Sequence, residues 1–427
     1  MPDSSQNNSN SSYKYYALVV LTISYVFNFV DRQVLSILQE SIKVDLGLMD
    51  WQLGMLSGIA FALFYTTVGI PIARLADKGN RRNIVALAIA VWSFMTVLCG
   101  AAQNFIHLML TRIGVAVGEA GGSPPSHSMI SDIFPPKHRG AALGFYSMGV
   151  NLGILCGFIV GGWINDLYNW RIVFLVVGIP GILWALVIRF TLREPARGLS
   201  EQIEKVAEAP SVGKVVKLLW SRNSFRHMSI AAGLAAFVSY GTIQWLASFF
   251  IRNYQLTSTG ELATWIGLIA GVSGGLGTFL GGYLTDKLGA KDKRWYVWFP
   301  AILIVVTTPV LLIVFSLNSY YTALCLYIIP AFAGTVWLGP TLAMTHGIVS
   351  LRMRAMASAI LFLILNLIGL GLGPFFTGIM SDLLIPTFGS ESLRYALMIT
   401  NCFAFWAAFH YWKAGKYLKA DLKNAPK

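Results

Sequence analysis

The sequence predicts an all-α polytopic membrane protein, with twelve transmembrane helices in two pseudo-symmetric six-helix halves. Three observations carry this. The first is composition: of 427 residues, 56% are hydrophobic and only 12% charged, with mean hydropathy +0.63. Soluble domains carry about 25% charged residues, so this chain lacks the charge to coat a soluble surface, and a disordered chain or a fibre is excluded as well. The second is that apolar runs of about 20 residues, the length of one helical span, recur throughout. None alternates with period two, as a membrane barrel strand would. The third is an internal repeat on either side of a polar loop near the midpoint.

The first span, 15–39, follows the polar start MPDSSQNNSNSS. That start has no basic n-region, so no cleavable signal is expected. The second span, 51–75, runs into the basic loop of Arg74, Lys78, Arg81 and Arg82, and the third, 83–102, leaves it. The fourth, 105–130, and the fifth, 140–163, flank Lys137 and Arg139; the sixth, 171–192, leads to Arg193. Residues 193–225 read as a linker carrying an interfacial helix. It separates an N-terminal half, 1–192, from a C-terminal half, 226–427. The second half repeats the scheme at 226–251, 262–285, 295–316, 320–346, 354–384 and 393–413. Isolated strands could not satisfy their backbone groups in lipid, so each span is expected to be helical.

The formal net charge is +13. A soluble protein with that balance would suggest nucleic acid, but here the cations are sorted by loop. Of 32 Lys and Arg residues, 26 lie in the tails and in one alternate set of loops. Only Lys43, Arg171, Arg252 and Arg394 lie in the opposite set. The positive-inside rule then puts both termini in the cytoplasm. The charge therefore reports topology, with attraction to anionic membrane lipids secondary and no nucleic-acid partner. Cys99, Cys156, Cys325 and Cys402 all fall in apolar runs, with no disulfide framework and no metal-binding spacing.

The halves repeat in detail. Asp77-Lys78 after the second span matches Asp286-Lys287 after the eighth. Gly153, Gly157, Gly162 and Asp166 match Gly369, Gly373, Gly378 and Asp382, each 216 residues on. Such parallel six-helix halves typify one large transporter class, with the substrate site between halves near the midplane. The loop after the second span resembles the first-loop signature of the major facilitator superfamily, Gly-x-x-x-Asp-Arg-x-Gly-Arg-Arg, with Ala73 and Asn80 in place of two glycines. The fifth span resembles that superfamily's antiporter signature through Gly144, Gly153, Gly157 and Gly161-Gly162, with Phe158 where the signature has proline. Within the superfamily, three motifs resemble the Spinster family. They are Asp31-Arg32, Asp77-Lys78-Gly79-Asn80-Arg81, and Arg112 followed by Val117-Gly118-Glu119-Ala120. The resemblance implies lipid-like substrates, such as sphingosine 1-phosphate or lysophospholipids, and coupling to protons. It implicates Asp31, Arg32, Arg112 and Glu119.

The same four residues stand out without the family, as the formally charged groups deep within spans. Such groups are costly in a bilayer and usually line a pathway. Asp31 lies nine residues from Glu40 and Arg112 eight from Asn104. Both therefore sit about 12–14 Å below the outer surface, and an Asp31–Arg112 pair is feasible. Glu119 lies two turns from Arg112 on the same helix face, about 10 Å along the axis. That spacing leaves it an acid without a close cation on its own helix, and the expected proton-responsive group. The alternative is an ion-pair network that only locks helices together.

Gly121, Gly122, Pro124 and Pro125 should break the fourth helix beside Glu119, as a hinge or as a packing kink. Gly153, Gly157, Gly161 and Gly162 give the fifth a flat face for close helix approach, fixed or moving with transport. Asp77, with Lys78, Arg81 and Arg82, and its repeat Asp286, could form a conformational latch or a solvated cluster. Tyr25, Phe29, Tyr65, Tyr240, Gln244, Trp245, Trp337 and Asn366 are the candidate pocket residues. There is no GxxxxGK[ST] loop, so no direct use of ATP and no cofactor or metal are expected. Gly271-Val-Ser273-Gly274, with His346 or His410 as base, formally resembles a serine nucleophile turn, but it sits in a glycine-rich packing stretch. The reading is a monomeric secondary transporter, not an enzyme, in the plasma membrane if bacterial. It would carry an amphipathic, anionic, lipid-like molecule with protons. The alternative is a major facilitator antiporter of small organic anions or drugs.

Overall fold

The computed structural model describes residues 4–197 and 211–426, with side chains from residue 12. Its spans are α1 (Ser4–Leu46), α2 (Asp50–Lys78), α3 (Arg81–Cys99), α4 (105–133), α5 (Pro136–Leu167) and α6 (Trp170–Thr191). They continue as α7 (Asn223–Tyr254), α8 (Thr259–Gly289), α9 (Trp295–Ser316), α10 (Tyr320–Gly347), α11 (354–388) and α12 (Ser392–Lys423). By length and apolarity alone, ten described segments qualify as spans. One of the ten, Leu351–Lys423, holds both α11 and α12, turned at Gly389–Glu391. Helix α4 misses the criterion because it is broken. All twelve expected spans are therefore present as helical rods. Of the linker, 198–210 lie outside the described residues. Beyond them, Val212–Ser221 forms a short helix that buries Val215 and Leu219 and exposes Val212, Val216 and Trp220.

Several rods are interrupted where the halves meet or the buried charges lie. Helix α2 breaks at Gly58, and α4 breaks at 120–122, where Pro124 and Pro125 supply no backbone N–H. Helices α8 and α11 loosen into π-helical turns at Ile269–Ser273 and Leu365–Leu372. Such turns are frequent at functional sites.

The glycine face of α5 divides its work. A Cβ on Gly153, Gly157 or Gly161 would strike α1, at Phe29, Val30 or Ile37. These three glycines therefore pack helices of the same half, contrary to a moving interface along the whole face. Gly162 alone of the four reaches the other half: a Cβ there would lie 2.3 Å from the Ala263 Cβ on α8. The matching repeat brings α11 onto α2, since a Cβ on Gly378 would lie 2.4 Å from the Asp50 carbonyl. The halves thus touch tightly at the ends of α5 and α11 remote from the termini. On the terminus-bearing face they part, and an added Cβ at Gly140, Gly144 or Gly282 would meet nothing within 4 Å.

Candidate functional site

Helix α1 places Asp31 and Arg32 against α4, and the interval Arg112–Glu119 gives α4 a charged face toward them. Asp31, Arg112 and Glu119 are almost wholly buried. The Arg32 Nε donates to Glu119 Oε2 at 2.6 Å, an ion pair in which the Glu119 side chain has no exposure. The expected Asp31–Arg112 ion pair is absent. Arg112 instead reaches the Asp31 backbone carbonyl at 3.5 Å. The depth argument compared backbone levels, whereas an arginine side chain extends well beyond its own backbone level, and adjacent residues on α1 point in different directions. Arg32 therefore takes the acid that the sequence left without a close cation. Asp31 Oδ1, Glu119 Oε1 and Arg112 Nε have no hydrogen-bond partner, so the cluster retains unused capacity.

Aromatic rings line the cations. The Arg32 guanidinium lies 5.1, 4.9 and 4.8 Å from the ring centres of Phe29, Phe61 and Tyr65. That of Arg112 lies 5.4 Å from Phe61. Guanidinium over a ring is attractive, and more so when desolvated. A cavity between the halves is lined by Phe29, Arg32, Gln33, Ser57, Phe61, Arg112, Tyr240, Gln244 and Leu370. Of the expected pocket residues, Phe29, Tyr240 and Gln244 line it, and Tyr65 faces Arg32. Tyr25 instead stacks on Tyr146 at 4.5 Å within the first six helices. Trp245 is fully buried and donates to the Pro374 carbonyl at 2.9 Å, a helix-packing contact that satisfies its indole N–H. Trp337 lies in the core of the last six helices. Asn366 is half-buried in the π-helical turn of α11. His346 bonds Ser358 at 2.6 Å rather than Ser273.

The face remote from the termini is closed by charges that the sequence did not single out as a closure. Arg252 on α7 donates to Glu40 at 2.8 and 2.9 Å and to Asp50 at 2.6 and 2.7 Å. Two aspartates then cap helices across the boundary. Asp166 on α5 accepts from the backbone N–H of Thr259 and of Gly260, both at 2.8 Å, at the start of α8. Asp382 on α11 accepts from Asp50 and Trp51 at 3.1 and 2.7 Å, at the start of α2. A carboxylate at a helix N-terminus satisfies free N–H groups and the helix dipole together. Their 216-residue spacing was the available signal: repeated halves repeat their closures.

The expected latch on the terminus-bearing face is not formed. Asp77 and Lys78 are exposed, without a hydrogen bond or ion pair among the described residues. Asp286 accepts from Tyr296 at 2.7 Å, inside its own half. Arg81 is buried instead, bonded to Asp132, to Ser128 at 2.8 Å and to Glu194 at 2.7 Å, while Glu194 also accepts from the Arg82 amide at 2.9 Å. The reason is geometric: the halves are apart on this face, so a latch across them has nothing to grip.

Twelve helical rods, a charged cleft between two halves and closure on one face only together define a membrane transporter rather than an enzyme. The Major Facilitator Superfamily profile matches residues 21–374, and the chain belongs to that family. Among its relatives is an MFS-type efflux pump of Mycolicibacterium smegmatis, 30% identical over 95% of this chain and 94% of that protein. A hexuronate transporter of Bacillus subtilis is 26% identical over 68% of each chain. Among solved structures, a bacterial homolog of the human lysosomal transporter Spinster, inward-facing and unoccupied, superposes with TM-score 0.88. It is 34% identical, over 96% of this chain and 98% of that one. The Spinster resemblance read from three short motifs thus extends over nearly the whole chain.

Proposed function

We propose that this transporter moves an amphipathic, anionic, lipid-like molecule by alternating access, as a monomer, driven by protons that Glu119 binds and releases. The supporting observation is the pair of guanidinium groups, Arg32 and Arg112, walled by Phe29, Phe61 and Tyr65 in the cleft. A phosphate or carboxylate would bind the guanidiniums through charge-assisted hydrogen bonds, while the rings meet apolar chain. Bound anion competes with Glu119 for Arg32. Substrate entry would then free the acid to take a proton, which links the two ligands at one residue. The break at Gly121 and Gly122 gives α4 a bend beside that acid.

A second reading keeps the frame and the cations but carries a small organic anion. The similarity to a hexuronate transporter favours it. Uptake into proteoliposomes of a panel of lysophospholipids and sugar acids, with and without a pH gradient, separates the two. The proposal expects lysolipid uptake that the gradient accelerates. Uptake of sugar acids alone would establish the second reading.

The terminus-bearing face is assigned to the cytoplasm, and the protein, if bacterial, to the plasma membrane. The 26 cations on that side support this. In a cysteine-free background, Lys205→Cys should react with a membrane-impermeant thiol reagent only after cells are permeabilised. Labelling of intact cells would reverse the topology.

A further inference from the structure

The first and last helices of the second half meet near the terminus-bearing face in a cluster of basic and aromatic side chains that the transport site does not use. His227, one turn into α7, and His410 on α12 approach Nδ1 to Nδ1 at 2.9 Å. Tyr417 stacks on the His227 ring, 5.8 Å between centres and 8° from parallel. Arg226 and Lys413 lie close enough to act electrostatically on His227, and Lys413 acts on His410 as well. The two helices hold a single carboxylate, Asp421, and it is turned to the Ser224 amide at 2.8 Å. Among the described residues no acid pairs with Arg226 or Lys413. Ionisable side chains within a span are costly and mark a site by default.

The histidine contact fixes part of the chemistry. One hydrogen lies between the two Nδ1 atoms. The accepting ring therefore carries its own proton on Nε2, and at least one N–H remains to donate elsewhere. Arg226 and Lys413 beside the pair favour an anion over a cation, and among the described residues no third His, Cys, Asp or Glu joins the two rings. The surroundings identify the anion's source. Trp406 and Phe409 pack against His410 at 6.1 and 5.6 Å, and each is 52% exposed on the outer surface of α12. One helical step away Trp412 stacks on Trp298 at 5.1 Å, and Trp220 of the short helix Val212–Ser221 is also exposed. Such aromatic belts sit at headgroup depth, and basic pockets between helices at that depth take anionic headgroups. A free phosphate would leave the two exposed rings beside it without a partner; a phospholipid covers them with acyl chain.

We propose that His227, His410, Lys413 and Arg226 hold the phosphate of an anionic phospholipid from the leaflet on the terminus-bearing side, with its chains over Trp406 and Phe409. Native mass spectrometry of the full-length protein, with phosphatidylglycerol or phosphatidylcholine added at equal concentration, tests this. The expected result is preferential retention of phosphatidylglycerol. In Arg226→Gln/Lys413→Gln, at wild-type melting temperature, that binding should weaken about 30-fold, near one kcal/mol for each cation lost. Millimolar inorganic phosphate should not displace the lipid. Arg112→Ala separates this site from the transport cleft, because the lipid should persist in that variant. Equal retention of both lipids overturns the proposal. So does displacement by phosphate, or loss with Arg112→Ala rather than with the double variant.

Discussion

Arg32→Ala should reduce uptake by about 30-fold or more, since removing one member of a buried charged pair costs about 2 kcal/mol or above. Two losses combine. The anionic substrate loses a cation positioned over three aromatic rings, and Glu119 loses the partner that holds it at 2.6 Å. A carboxylate with no side-chain exposure and one oxygen already unpaired is then left in the bilayer core. Breaking a buried pair in this way costs on the order of 3–5 kcal/mol, so Arg32→Ala should also melt at a lower temperature in detergent. Adding Glu119→Gln removes the stranded charge. The double variant should recover thermal stability while remaining inactive. Recovery of stability without activity separates a substrate contact from a structural lock, since a mere lock would regain both. Arg112→Ala offers the contrast. Arg112 has no ion pair to break, only a long bond to the Asp31 carbonyl and the Phe61 ring beneath its guanidinium, so its loss should abolish uptake and leave the fold intact. Wild-type uptake by Arg112→Ala would remove it from the transport site.

The second large effect is expected far from that cleft. Asp166→Asn together with Asp382→Asn should open the face remote from the termini. Each aspartate accepts two backbone N–H groups at a helix start in the opposite half. A charge at such a position contributes about 0.3–2 kcal/mol, and charge-assisted hydrogen bonds are about twice as strong as neutral ones. Losing both charges should shift the balance between the two access states by about 10–100-fold. Asparagine keeps the shape and some of the hydrogen bonding, so the shift isolates the charge. Paired spin labels on the ends of α5 and α8 remote from the termini would report it as a longer distance distribution in the double variant. An unchanged distribution would mean that the Arg252 bridges to Glu40 and Asp50 and the close packing at Gly162 and Gly378, rather than the caps, keep that face shut.

Much of this was legible in the chain. The composition sets the solvent, and hydropathy sets the twelve rods, because each rod must satisfy its own backbone in lipid. The breaks beside Glu119 could be read from two glycines and two prolines. The buried charges could be named because no other formally charged residue of the sequence falls deep within the expected spans. Their pairing could not be read, since it depends on side-chain reach and direction between helices whose rotation the sequence leaves open. Trp245 shows the same limit. It was expected in the pocket as an aromatic of the seventh span, yet rotation of α7 turns it onto the Pro374 carbonyl. Asp77 illustrates a different one. A motif signals the contact made in some state of a cycle, and in a state open on the terminus-bearing face Asp77 stands exposed. Asp166 and Asp382 were visible as a repeat, but their role emerged only when the helices they cap were seen to belong to the other half.

The most direct test of proton coupling at the Arg32–Glu119 pair is uptake by Glu119→Gln in proteoliposomes, with lysophospholipid exchange and gradient-driven uptake measured on the same preparation. Glutamine holds the shape of the protonated acid and cannot release a proton. Exchange of labelled for unlabelled substrate needs no net proton movement, so it should continue. Stimulation by an imposed pH gradient should disappear, because the residue that links the two halves of the cycle to pH no longer changes charge. If Glu119→Gln instead accumulates substrate with the full gradient dependence of the wild type, Glu119 is not the coupling acid. The buried Asp31, with its own unpaired oxygen, would then take its place.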